Sequence, residues 1–164
     1  MAKCRHRRRS KPSSNSCSAT RIGTTMAEKT CCVPVAESDC CGGATVLIYP
    51  CSGSADVGEI SDHAGRLLTK EGIGKMHCLA GVGGRVPGIT LSAQAAGKIL
   101  AIDGCPQGCA SKTLSVAGIE GYASVRVTDH GMPKGKTPVT GENVKVIADK
   151  GVEALRASAM RTTA

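Results

Sequence analysis

Three short apolar runs, each closing on a cysteine at an equal interval, constrain this chain more than any other feature. Thr45-Val46-Leu47-Ile48-Tyr49-Pro50 ends on Cys51, the shorter Lys75-Met76-His77 on Cys78, and Ile99-Leu100-Ala101-Ile102-Asp103-Gly104 on Cys105. The steps from Cys51 to Cys78 and from Cys78 to Cys105 are both 27 residues, the length of a strand, a helix and the turns that join them. Continuous apolar runs bounded by Gly and Pro are expected of strands buried on both faces. If the runs are neighbouring parallel strands, all three thiols emerge at the carboxyl edge of one sheet, where open α/β folds place their ligands.

The segments between the runs read as helices. After Ser54, a capping residue type, Val57, Ile60, Ala64, Leu67 and Leu68 recur at helical spacing and stop near Gly72. The glycine-rich loop Ala80 to Gly88 precedes a short helix carrying Ile89, Ala93 and Ala96. Pro106 suits the first turn of a helix running to about Ala117, since its missing N–H costs nothing there. Tyr122 to Thr128 alternates apolar and polar, as an edge strand with one wet face does. Thr140-Gly141-Glu142-Asn143 opens a last helix with Val144, Ile147, Ala148, Val152 and Leu155 on one side. The alternation predicts a flavodoxin-like three-layer α/β domain with about four parallel strands and right-handed crossovers.

Organisation follows from composition. Residues 1–26 are basic and hydrophilic and are expected to form a disordered tail. Residues 27–43 are expected to form a Cys-rich loop segment with two vicinal pairs, Cys31-Cys32 and Cys40-Cys41, and residues 44–160 the α/β domain. Residues 1–30 hold eight basic residues against Glu28 alone, while the rest of the chain has 13 basic and 12 acidic residues. The net charge of +8 therefore belongs to the tail, whose run Arg5-His6-Arg7-Arg8-Arg9 can touch nucleic acid only non-specifically. The chain has no Phe or Trp, and its only aromatic rings besides His are Tyr49 and Tyr122, which argues against base stacking. No run approaches the ~18 apolar residues of a membrane span. Met26-Ala27-Glu28-Lys29 reads as a natural start, which offers a second reading of residues 1–25 as an upstream extension; the intact mass of the native protein decides between the two. With ten cysteines and no apolar segment after the basic start, the expected location is the reducing cytoplasm, where cysteines bind metal or do redox work.

Cys109 lies four residues past Cys105, one helical turn on, and so joins Cys51, Cys78 and Cys105 in one cluster. Four thiolates suit a tetrahedral zinc ion. The wide spacing is unlike a paired zinc knuckle, so the expectation rests on the fold bringing the thiols together. Buried cysteines also serve as small apolar residues, but strand-end loops are an exposed edge. If all four bind, the site is closed, for structure or metal handling; one labile ligand would open it for transfer or Lewis-acid chemistry. The rival reading is a thiol oxidoreductase with Cys51 as nucleophile, its thiolate favoured by a helix N-terminus. An iron–sulfur protein is a third. Whether the chain is an enzyme stays open, as does any protein partner. Cys51-Ser52-Gly53-Ser54 resembles the anion-cradling loop of low-molecular-weight tyrosine phosphatases and arsenate reductases. That loop needs an arginine six residues after its cysteine, where Val57 stands, which argues against phosphate-monoester chemistry.

Ile48-Tyr49-Pro50-Cys51-Ser52-Gly53, Cys78-Leu79-Ala80-Gly81 and Ile102-Asp103-Gly104-Cys105-Pro106-Gln107-Gly108-Cys109-Ala110 resemble, in order and spacing, the signature blocks of the DGC-domain family. The family takes its name from a central Asp-Gly-Cys, here Asp103-Gly104-Cys105. The likeness spans roughly residues 45–135 and extends to Thr128-Asp129-His130-Gly131 and Lys134. It implies zinc held by Cys51, Cys78, Cys105 and Cys109, and it leaves the reaction open. Several other polar residues are read as structural. Asp103 is expected to hold its turn through backbone N–H groups. Asp129-His130 is expected in a solvated loop, Asp62-His63 on a helix surface, and His77 on the sheet face opposite the site. Cys31, Cys32, Cys40 and Cys41 suit either metal delivery and thiol resolution or an incidental exposed loop.

Overall fold

The computed structural model describes residues 45–159; the basic tail, the upstream start and all four vicinal cysteines lie outside them. Strand β1 (Val46–Pro50) leads into helix α1 (Asp56–Lys70), strand β2 (Lys75–Met76) and the short helices α2 (Leu79–Gly83) and α3 (Pro87–Ala95). Strand β3 (Lys98–Asp103), helix α4 (Cys109–Val116), strand β4 (Ala123–Arg126), a 3₁₀ turn (Val127–His130) and helix α5 (Gly141–Ala157) complete it. The strands form one parallel sheet in the order β2-β1-β3-β4. This is the flavodoxin-like three-layer arrangement that the alternation predicts.

Alternation along the central strands divides the core. Ile48, Leu100 and Ile102 face α1 and α5, packing on Val57, Ile60, Leu68, Val144 and Ile147. Leu47, Tyr49, Ile99 and Ala101 face the other way, against Val82, Ala93, Ala110 and Leu114 of α2, α3 and α4. Both faces of β1 and β3 are covered, which is why these strands read as unbroken apolar runs. Each fully buried Ile or Leu contributes roughly 1.5–3 kcal/mol. Among the described residues no helix is long and apolar enough to cross a membrane.

Three local expectations are corrected. Helix α1 is capped at Ala55 without a side-chain bond, not by Ser54; instead the Asp56 carboxylate accepts the Val57 N–H at 2.9 Å. Helix α4 begins at Cys109, not at Pro106, because Gly108 turns into the left-handed region at φ 63°. Strand β4 stops at Arg126, and Val127 and Thr128 belong to the 3₁₀ turn. The last helix does open at Thr140, whose hydroxyl accepts the Asn143 N–H at 3.2 Å.

Candidate metal and thiol site

Strand order puts the DGC turn opposite the first loop. Strands β1 and β3 are neighbours, and the chain leaves β1 toward β2 on one side and β3 toward β4 on the other. The gap between their carboxyl ends is thus the topological switch point, where folds of this order bind ligands. Cys51 stands on one rim of that gap and Gly104-Cys105 on the other. The Cys51 N–H continues the ladder onto the Ile102 carbonyl at 2.9 Å, so its backbone is fixed by the sheet. Its sulfur accepts the Gly104 N–H at 3.2 Å.

Each residue of Asp103-Gly104-Cys105 has a separate task. Asp103 is buried at the end of β3 and accepts the N–H groups of Ala110 at 2.7 Å and Ser111 at 3.2 Å. Its carboxylate therefore caps α4, the turn-holding role expected of it. Gly104 presses on the first turn of α1: a Cβ there would lie 2.9 Å from the Val57 carbonyl oxygen. Cys105, half-buried, presents its sulfur to the Gln107 amide oxygen at 3.8 Å and to the Lys134 ammonium at 3.9 Å.

The other two thiols are exposed. The sulfur of Cys78 caps α2 by accepting the Gly81 N–H at 3.2 Å, and Cys78 lines an open groove of about 410 Å³ with Arg66, Thr69, Met76 and His77. Cys109 is the first residue of α4. Because Cys105 lies outside that helix, the expected helical-turn relation between Cys105 and Cys109 does not form. All four thiols are free and follow β1, β2 and β3 at one edge. As the side chains stand, though, no three His, Cys, Asp or Glu side chains among the described residues are grouped to hold a metal ion. The donor set suits zinc by its chemistry; closing it requires thiols to rotate or loops to shift.

The remaining candidates are engaged elsewhere. His77 Nδ1 lies 3.0 Å from the Tyr49 hydroxyl, and Asp129 pairs with Arg126 on the surface. Ser52, at φ 40°, donates to Asp62 at 2.7 Å. Burial pushes the Asp62 carboxyl up, but the Arg66 guanidinium and the Ser52 hydroxyl outweigh it and hold the group low. Two participants, Lys134 and Asp56, carry no signal of their own in the residues. Only the family likeness points to Lys134. Asp56 bonds a loop 79 and 81 residues away, a separation that leaves no local signal.

The fold and edge define an α/β protein with two thiols, Cys51 and Cys105, flanking the switch point of a parallel sheet. The DGC domain family matches residues 47–150, and the chain belongs to that family. It is also similar to the anaerobic and virulence modulator AnvM of Pseudomonas aeruginosa, 33% identical over 88 residues, which is 54% of this chain and 67% of that one. No solved structure matches it.

Proposed function

We propose that this chain binds one zinc ion through Cys51, Cys78, Cys105 and Cys109, and that the site serves metal handling or regulation in a reducing compartment such as the cytoplasm. The observation that carries the reading is the position of Cys51 and Cys105 on the two rims of the β1/β3 gap, with Cys78 and Cys109 following at the same edge. Zinc there would be held by thiolates, and as a Lewis acid it would withdraw charge from the sulfurs. A structural role is disfavoured because the buried residues of both core clusters are all apolar, with Cys105 and Cys51 only partly buried against them, and a chain of this length can bury such a core without metal. The Pseudomonas relative is named a modulator, which favours a regulatory use here too. Zinc measured in Cys51→Ser and Cys105→Ser tests the assignment. Each variant should lose most of its zinc and still fold, and unchanged zinc in both removes these residues from the site.

A second reading has its own support: a thiol oxidoreductase working at the same edge. The sulfurs of Cys51 and Cys78 accept separate backbone N–H groups, so both are held in place at the edge without metal. Under this reading the thiols oxidise in pairs under mild oxidant, and chelator changes nothing.

A further inference from the structure

Among the described residues, the Cys105 sulfur alone has a cation as a hydrogen-bond partner, the Lys134 ammonium at 3.9 Å. Lys134 is not left to a free loop. The Asp56 carboxylate accepts the N–H of Gly135 at 2.8 Å and of Thr137 at 2.9 Å. The Thr137 hydroxyl and the Lys136 N–H both close back on the Pro133 carbonyl, at 2.8 and 3.2 Å. Lys134 therefore sits in a tight turn pinned to the first residue of α1. The next two residues of α1, Val57 and Gly58, are those against which Gly104 packs. One helix start fixes both the cysteine's turn and the lysine's turn, so the pair is built into the fold. The Thr128 hydroxyl is buried with no partner, and the Thr128 N–H donates to the Gly104 carbonyl at 3.3 Å. The residue bonded to the Asp-Gly-Cys turn therefore also carries a buried polar group with no partner.

We propose that Cys105 and Lys134 form an anion-receiving thiol, with Asp56 as the positioning residue that holds the ammonium in place. The ligand class is a small anionic disulfide, whose negative group the ammonium takes while the Cys105 sulfur reacts. In that step the Cys105 thiolate attacks one sulfur of the disulfide. A new S–S bond to Cys105 forms, the ligand's own S–S bond breaks, and its other half leaves as a thiolate. Cys105 is oxidised to a mixed disulfide and the leaving half is reduced. This makes Cys105, the thiol with the ammonium beside it, the one that receives the disulfide in the oxidoreductase reading. The inference rests on the edge being a thiol site and does not require zinc.

The test uses the full chain with two probes, anionic dithiodipropionate and neutral hydroxyethyl disulfide, and follows the adduct at Cys105 by peptide mass. The ratio of the two rates cancels the thiol's intrinsic reactivity. A single favourable charge near the sulfur is expected to raise the ratio roughly fivefold. Lys134→Met should abolish that preference and Lys134→Arg should keep it. Asp56→Asn should lower it with Lys134 still present, and should speed hydrogen exchange at the Gly135 and Thr137 amides. A ratio at Cys105 unchanged by Lys134→Met overturns the proposal, as does a Cys105 that takes neither probe. Zinc measured on the same samples separates the two claims. The probes are run after chelator, which frees any thiol that zinc masks, so an anion preference in a chain that held no zinc removes the zinc reading alone, and no preference in a chain that held zinc removes this one alone.

Discussion

The sulfur of Cys51 and the backbone nitrogen of Gly104 lie 3.2 Å apart, joining the ends of two strands whose loops diverge to opposite sides of the sheet. The bond needs Gly104 close to α1, and that approach needs a residue without a Cβ. In Gly104→Ala the new methyl would meet backbone atoms of Val57 and Gly58 at 2.9–3.0 Å, which cannot yield as a flexible side chain can. The expected loss is about 1–3 kcal/mol in urea unfolding, together with faster alkylation of Cys51. An unchanged midpoint would show that the two loops are not packed this way.

Asp103→Ala should cost about 2 kcal/mol, because it strips the Ala110 and Ser111 N–H groups of a charged acceptor. Asp103→Asn should recover part of this, since an amide oxygen can still accept one bond. The two unfolding midpoints, compared with wild type, are the check. Equal stability of all three proteins would remove Asp103 as the cap of α4.

The Asp56 carboxyl is held below its ordinary range, chiefly by the Gly135 N–H and then by the Thr137 N–H. A carboxyl whose value is depressed on folding lends stability that is full above its unfolded value and is lost as pH falls through the folded one. Stability should therefore decline below the ordinary aspartate range, about 3.9, and part of that decline should disappear in Asp56→Asn. Thermal midpoints across an acid series measure it, and parallel curves for the two proteins would contradict the hold of Asp56 on Gly135 and Thr137.

Thr128→Val replaces a buried hydroxyl that has no partner with a methyl of similar size. Removing an unsatisfied polar group should leave stability unchanged or raise it by up to about 1 kcal/mol. A loss of more than that, read by urea unfolding, would mean the hydroxyl is bonded in the working protein.

The sheet was legible in the chain because β1 and β3 are buried on both faces and so consist of unbroken apolar runs ending at Pro50 and Asp103. The placement of Cys51, Cys78 and Cys105 after successive strands followed from that. The relation of Cys109 to Cys105 did not, because one glycine, Gly108 in the left-handed region, delays the helix by a turn and moves Cys109 to its start. Ser54 has the right chemistry for a cap, yet α1 starts after Ala55 and takes its first carboxylate from Asp56. The Lys134–Cys105 pair depends on Asp56 reaching a loop near the far end of the chain, and no periodicity or spacing encodes such a contact.

The most direct test of the central claim is elemental analysis of chain purified without a metal-affinity tag, with thiols counted before and after chelator. The account predicts about one zinc per chain, four thiols newly reactive once chelator removes it, and a chain that stays folded afterwards. A metal-free chain whose thiols are all reactive from the outset and oxidise in pairs would contradict it.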